Sequence, residues 1–126
     1  MPEPTYLLLP QDCLPSRVRA PLQHVLNDFT QGELLFGLAK RPDATALHVA
    51  VREFLRRVDV LPWGAATSAV YGTARAATQR EGRVLAPMDL LIGSHALSIG
   101  AVLVTNDSAF GQLPGLAIED WTEESR

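Results

Sequence analysis

The sequence predicts an α/β fold in which a mainly parallel central sheet is flanked by helices. Short apolar runs typical of buried strands alternate along the chain with longer segments whose apolar positions follow helical spacing. Strands separated by helices imply right-handed crossovers and therefore parallel pairing. We find no internal repeat, linker or low-complexity segment, so residues 1–126 are predicted to form a single domain.

The N-terminal part is predicted to contain one strand and two helices. Residues 5–9 (TYLLL) form a short apolar run and indicate a buried strand. Apolar side chains over residues 15–29 follow helical spacing, and no second strand is indicated between the 5–9 run and Thr30. Thr30 with Glu33 three residues later is a typical helix start, and that helix is predicted to end within residues 37–42.

The middle of the chain is predicted as helix, strand and helix. Asp43 opens a helical run that continues to Leu55, with arginines on its other face. Residues 58–61 alternate in polarity like a strand with one exposed side. A long helix rich in Ala and Thr follows over residues 65–81 and stops at Gly82.

The C-terminal third begins with a short apolar link at residues 84–86, which we interpret as a short strand. Pro87 then suits the first turn of a helix, and Gly100 is a good C-terminal cap for it. The predicted elements are a helix at 88–99, a buried strand at 101–104, a loop or short helix at 105–114 and a last strand at 116–118.

Composition limits the class of protein. The hydrophobic fraction of 47% and charged fraction of 20% are those of a globular protein and exclude a disordered chain. The longest apolar runs fall far short of the ~20 residues that a membrane helix needs. The single cysteine, Cys13, cannot form an internal disulfide, and no signal-peptide pattern is found near the start. We therefore expect a cytoplasmic protein without a membrane segment.

The net charge of −3 argues against a general nucleic-acid binder, which normally carries a basic surface. It is compatible with a metal-dependent nuclease, because bound divalent cations neutralise a cluster of carboxylates. Six of the ten arginines form two groups, at residues 52–57 and 75–83. Either group is able to meet phosphates, although a solvated helix face explains both.

Three acidic residues lie where a parallel sheet could bring them together. Asp89 is in the first turn of a helix, and Asp107 follows the 101–104 strand by three residues. Glu33 is in the first turn of its own helix. Ligands of open parallel sheets collect outside the carboxyl ends of the strands. Carboxylates are the ligands that Mg²⁺ and Mn²⁺ prefer, and a pair of such ions can activate water for phosphodiester cleavage.

Each candidate also has a purely structural interpretation. Glu33 completes a capping box, and Asp89 is favoured by the dipole of its helix. Asn106-Asp107 is a common turn pair. His95 is interpreted as a packed, hydrogen-bonded side chain rather than a ligand, because no second His or Cys lies at metal spacing.

Three motifs occur in order along the chain. TQGELLFG carries Glu33 in the pattern E-L-x-x-G, Asp89 opens a helix that reads DLLIGSHA, and a strand delivers L-V-T-x-D with a Phe soon after. From Thr30 to Trp121 the chain resembles the VapC branch of the PIN-domain family. The residues that carry the two later motifs are Asp89, Ile92, His95, Ala96, Leu103, Val104, Thr105, Asp107 and Phe110.

The resemblance implies a PIN-like three-layer fold and a Mg²⁺- or Mn²⁺-dependent endoribonuclease with RNA as substrate. Such a protein is usually the toxin of a toxin–antitoxin pair, a homodimer whose site is blocked by an antitoxin segment. Carried over to this chain, Glu33, Asp89 and Asp107 would be the metal ligands and catalytic residues. Thr105 would help to order the site through its hydroxyl.

One departure concerns the first strand, which in the family normally ends in an Asp that supplies the first metal ligand. Here Leu9 or Pro10 occupies that place, and Asp12 is a candidate substitute ligand, although an exposed turn residue is the alternative interpretation. The interval from Leu9 to Glu33 is also short for the usual helix and second strand. The second hypothesis is therefore a catalytically impaired PIN-like protein that only binds an antitoxin or another partner chain.

Overall fold

Five short strands form the centre of the fold, with helices on both sides. The computed structural model of the chain describes residues 5–9 and 23–120. In chain order the elements are β1 (Thr5–Leu8), β2 (Gln23–Asn27), α1 (Asp28–Ala39), α2 (Thr45–Arg57), β3 (Asp59–Leu61), α3 (Ala65–Arg80), α4 (Pro87–Ile99), β4 (Val102–Val104), a 3₁₀ helix (Ser108–Gln112) and β5 (Ala117–Glu119).

The strands form one sheet in the order β3-β2-β1-β4-β5, and every neighbouring pair is parallel. Leu7 of β1 is in register with Val25 of β2 on one side and with Leu103 of β4 on the other. The strand order thus reverses direction at β1. In open parallel sheets such a reversal opens a crevice at the carboxyl ends of the two strands that meet there.

Apolar side chains fill both faces of the sheet, because successive residues of a strand point to opposite sides. On β1, Leu8 joins the apolar cluster on one face, whereas Leu7 joins the cluster on the other. Phe54 of α2 belongs to the first cluster, and Ile92 of α4 belongs to the second. Leu34 of α1 packs against the first cluster. The sheet therefore lies between two helical layers, which confirms the predicted three-layer fold.

The structure corrects the prediction for the segment before Thr30. Helical spacing was expected over residues 15–29, but residues 23–27 are strand β2, paired with both β1 and β3. Val25 and Leu26 are adjacent and both buried, so they must fill opposite faces of the sheet. Pairing with a strand on each side and burial of both side chains determine the conformation here, and they override the helical spacing of the apolar residues. Residues 10–22 lie outside the described part of the chain.

Two smaller expectations are also wrong. Helix α1 begins at Asp28 rather than Thr30, because the Asn27 side chain caps it by accepting a hydrogen bond of 2.8 Å from the Thr30 amide. Residues 84–86 form no strand, and Val84 is 82% exposed, so this link does not pair with the sheet.

The remaining predicted elements are found with ends that differ by one or two residues. Pro87 opens α4, and Gly100 ends it in the left-handed conformation, with φ of 67°, that glycine adopts without strain. Of the helices in the described part of the chain, none has the length and apolar character that crossing a bilayer requires.

The contribution of the Asn27 cap of α1 to the free energy of unfolding should be measurable. We expect Asn27→Ala to lower the free energy of unfolding by about 1–2 kcal/mol, because it removes a buried acceptor from the first turn. Asn27→Ser keeps a hydroxyl acceptor and should cost clearly less. Urea unfolding of the three proteins tests this, and equal losses for Ala and Ser would contradict the capping role.

Candidate active site

A cleft of about 500 Å³ opens where the carboxyl ends of β1 and β4 meet the starts of α1 and α4. It contains all three acidic residues that the sequence singles out, although they come from three separate stretches of chain. The lining residues are Leu9, Thr30, Glu33, Met88, Asp89, Ile92, Asn106, Asp107 and Phe110.

Glu33 reaches the cleft from the second turn of α1. Because α1 starts at Asp28 and is capped by Asn27, Thr30 lies within the helix and cannot form a capping box with Glu33. That structural explanation for Glu33 is therefore wrong. Its side chain is exposed, so its carboxylate is accessible from solvent.

Asp89 reaches the cleft from the first turn of α4 and is half-buried. Pro87 starts this helix with an amide nitrogen that needs no partner, and the positive end of the helix dipole favours a carboxylate there. The dipole interpretation and the ligand interpretation are compatible, since both place a negative charge at the same end of the helix.

Asp107 is held by the loop that follows β4. One of its carboxylate oxygens accepts a hydrogen bond of 2.9 Å from the Ala109 amide, which caps the 3₁₀ helix. The Asp107 amide donates to the hydroxyl oxygen of Thr105 at 3.1 Å. Thr105 is buried, and its own amide donates to the Glu119 carbonyl of β5. Thr105 thus ties the Asp107 loop to the sheet.

The wall of the cleft at the end of β1 is apolar. Leu9 is buried and lines the cleft, and it is one of the two residues that stand where the family's first-strand Asp is expected. Pro10 and Asp12, the substitute ligand predicted from the sequence, lie outside the described residues.

The donor set of the cleft fits a hard divalent cation. It offers three carboxylates and the side chain of Asn106, and the Thr30 hydroxyl oxygen beside them is buried with no hydrogen-bond partner among the described residues. Within residues 5–9 and 23–120, no three His, Cys, Asp or Glu side chains converge closely enough to hold one ion by themselves. Mg²⁺ suits such an open arrangement, because it keeps several waters and usually takes one or two carboxylates together with substrate phosphates.

Thr30 and Asn106 also line the cleft, although the sequence motifs do not single them out as site residues. Both are common in helix starts and turns, so their residue type alone carries no signal. The useful signal is position: each follows a strand within a few residues and therefore lies at the carboxyl edge of the sheet.

A partly buried cluster of polar and aromatic side chains links α1 to α4. An Asp28 carboxylate oxygen accepts a hydrogen bond of 3.4 Å from the Trp63 amide. The Trp63 ring packs edge-on against His95, with 5.9 Å between ring centroids, and against Phe29 at 5.3 Å. The indole nitrogen donates to the Ser68 hydroxyl at 2.6 Å.

His95 is packed as expected but lacks the expected hydrogen bond at one nitrogen. Its side chain is 1% exposed, and Nδ1 has no partner among the described residues. Burial lowers the pKa of His95, and the nearby Asp28 carboxylate opposes this by raising it. Because burial dominates, His95 is neutral in the folded protein near neutral pH.

The PIN domain family matches residues 17–116, and the chain therefore belongs to that family. It is 35% identical over 98 residues to the tRNA(fMet)-specific endonuclease VapC of Shigella flexneri, covering 77% of this chain and 74% of that protein. The corresponding protein of Salmonella typhimurium is 37% identical over 98 residues, covering 76% and 74%. Within the PIN family the chain is thus of the VapC type, which confirms the resemblance seen in the sequence.

Solved structures agree with this assignment. The fold is similar to that in the structure of VapBC2 from Rickettsia felis bound to a promoter DNA fragment, with a TM-score of 0.80, 25% identity, and coverage of 93% of this chain and 98% of that chain. The DNA-bound VapBC of Salmonella typhimurium gives a TM-score of 0.79 and 28% identity, covering 96% and 99%.

The lowered pKa of His95 should make stability depend on pH. The unfolded chain takes up a proton at the ordinary pKa of 6.5, whereas the folded protein does so only at lower pH. Stability should therefore be fully present above about pH 6.5 and decline below it, until the folded-state pKa is passed. Urea unfolding between pH 5 and 8 measures this decline.

Two variants test whether His95 is the cause. His95→Gln should flatten the acid decline, because the titrating group is gone. Asp28→Asn should steepen it, because removing the carboxylate that favours the charged imidazole lowers the pKa of His95 further. Identical pH dependence in wild type and His95→Gln would contradict the assignment.

Proposed function

We propose that this protein is a metal-dependent endoribonuclease and the toxin of a VapBC-type toxin–antitoxin system. The observation that carries the proposal is the gathering of Glu33, Asp89 and Asp107 in one cleft from three separate segments. Its VapC relatives are named as ribonucleases and endonucleases, which supports the same class of reaction here.

Each of the three carboxylates reaches the cleft from a different element of the fold. Glu33 and Asp89 face the cleft from two different helices, and Asp107 faces it from a loop that Thr105 holds against the sheet. These carboxylates would hold Mg²⁺ or Mn²⁺, which when bound supplies the charge that activates a water and stabilises the leaving oxygen of a phosphodiester. The buried Thr30 hydroxyl can orient a water or a phosphate oxygen at the cleft wall.

An antitoxin partner is part of the proposal. The similar solved structures are VapBC assemblies, which supports a partner of the VapB kind. Leu35 and Phe36 on α1 are 48% and 56% exposed, and Val49 on α2 is 57% exposed. Large exposed apolar side chains on neighbouring helices are typical of a protein-binding surface. The homodimeric state and cytoplasmic location expected from the sequence stay predictions.

A second candidate is a PIN-like protein that binds its partner without cleaving RNA. The specific observation in its favour is Leu9, a buried apolar side chain in the cleft where an acidic ligand is expected. The two candidates differ in metal affinity and in cleavage, so both can be measured.

Cleavage should depend on Asp89. We expect Asp89→Asn to reduce Mg²⁺- or Mn²⁺-dependent cleavage of single-stranded RNA about a hundredfold or more, since a direct ligand should matter at least as much as its supporting residues. Asp43→Asn removes the same charge from an exposed turn between α1 and α2 and should retain full activity. Gel analysis of labelled RNA checks this, and cleavage that persists in EDTA would refute the metal mechanism.

Metal binding separates the two candidates directly. Calorimetric titration of the wild-type protein with Mn²⁺ should show binding at micromolar to low-millimolar strength, and Asp107→Asn should weaken it because one carboxylate donor is lost. Asp43→Asn again serves as the control. A wild-type titration without binding heat, together with intact RNA in the cleavage assay, would favour the non-catalytic protein.

A further inference from the structure

A basic stretch of chain leads into the cleft. Residues 60–88 carry three arginines and a single acidic residue, Glu81, so this stretch has a net charge of +2 in a protein whose net charge is −3. Helix α3 itself contains Arg75 and Arg80 and no acidic residue. The proposed function makes no use of this charge.

Part of this stretch lines a hollow of about 240 Å³ between α3 and the start of α4. Tyr71, Arg75 and Gln79 line it at intervals of four residues, which is the spacing of one helix face. Arg83 lines it from the loop that follows α3. The α3 hollow therefore offers two guanidinium groups, a phenol and an amide to one bound group.

The α3 hollow lies next to the carboxylate cleft. Pro87 and Leu90 line the hollow, whereas Met88 and Asp89 of the same helical turn line the cleft. The two depressions are thus separated by the first turn of α4. A helix with its side chains is ~10 Å across, so one extended nucleic-acid strand can occupy both.

The two arginines are held in different ways. Arg75 donates one hydrogen bond of 3.0 Å to the Tyr71 hydroxyl, and no acidic side chain among the described residues pairs with it. A guanidinium has five N–H donors, so most of those of Arg75 remain available. Arg83 pairs with Glu81 at 2.9 Å and also donates to the Gln112 carbonyl, which fixes its position.

We propose that the α3 hollow binds a backbone phosphate of the RNA strand whose cleavage takes place in the neighbouring cleft, with Arg75 as the main contact. A planar guanidinium binds phosphate through paired, charge-assisted hydrogen bonds. The three carboxylates of the cleft repel the same strand, so a cationic contact one helix width away offsets that repulsion. This inference rests on the proposed ribonuclease function.

The test measures RNA binding without cleavage. Fluorescence anisotropy with a labelled, mixed-sequence single-stranded RNA of about twenty nucleotides is recorded in EDTA at several salt concentrations, with every protein carrying Asp89→Asn. Arg75→Gln should weaken binding about tenfold, the effect of losing one strong charge-assisted contact. The slope of log K against log salt should become less negative by about 0.7, which corresponds to one phosphate contact on a single strand.

Matched variants separate a local contact from net charge. Arg52→Gln removes the same charge from α2, which packs on the other face of the sheet, and should change affinity less than twofold with no change in slope. Arg75→Lys should keep the slope, because the charge remains. Gln79→Glu should weaken binding although Arg75 is intact, since it places a negative charge on the exposed wall of the hollow.

The inference is overturned if Arg75→Gln and Arg52→Gln weaken binding equally, if the salt slope stays unchanged, or if the Asp89→Asn parent binds no RNA. Cleavage of the same RNA by the wild-type protein with Mn²⁺ is scored separately. Cleavage with an unchanged slope would leave the proposed function standing and refute the role of the α3 hollow. RNA binding with the expected change of slope but without cleavage would refute the proposed function, and the α3 hollow would then be an RNA-binding site only.

Discussion

The pairing of β1 with strands on both sides is the constraint on which the rest of the structure depends. Leu7 and Leu8 are both fully buried, because β1 lies in the middle of the sheet and both of its faces are covered by helices. The order of the strands reverses at the same place. Because β2 and β4 are both parallel to β1, the segments that follow them start at the same edge of the sheet, next to this reversal. Distant carboxylates meet there as a consequence of strand order.

In the described part of the chain, buried polar side-chain atoms without a hydrogen-bond partner are confined to two regions. Among the described residues, the buried side-chain atoms without a hydrogen-bond partner all belong to the start of α1 or to the middle of α4: Asn27 Nδ2, Asp28 Oδ1, Thr30 Oγ1, Ser94 Oγ and His95 Nδ1. Each such atom lowers stability unless water or a ligand satisfies it. These two helices also carry Glu33 and Asp89. The destabilising unpaired atoms therefore lie on the same helices as two of the three carboxylates of the cleft.

The amino-acid pattern predicts most of the fold, because many local features favour a single conformation. The apolar run at residues 101–104 favours a buried strand, and Gly100 favours the end of a helix. The pattern fails for β2, because Val25 and Leu26 are placed by pairing with strands that are remote in sequence. For the site, the pattern singles out Glu33, Asp89 and Asp107, which do share a cleft. It cannot reveal neighbours such as Thr30, whose contribution depends on burial.

Leu9 alters the balance of charges in the cleft. With an apolar side chain at the end of β1, the described cleft offers three carboxylates that do not converge on one point. A divalent cation bound there retains open positions, which water or phosphate oxygens must fill. An RNA phosphate would thus strengthen cation binding, and by thermodynamic reciprocity the cation would strengthen RNA binding by the same factor. In this protein, metal affinity and substrate affinity are therefore expected to be coupled through the phosphate itself.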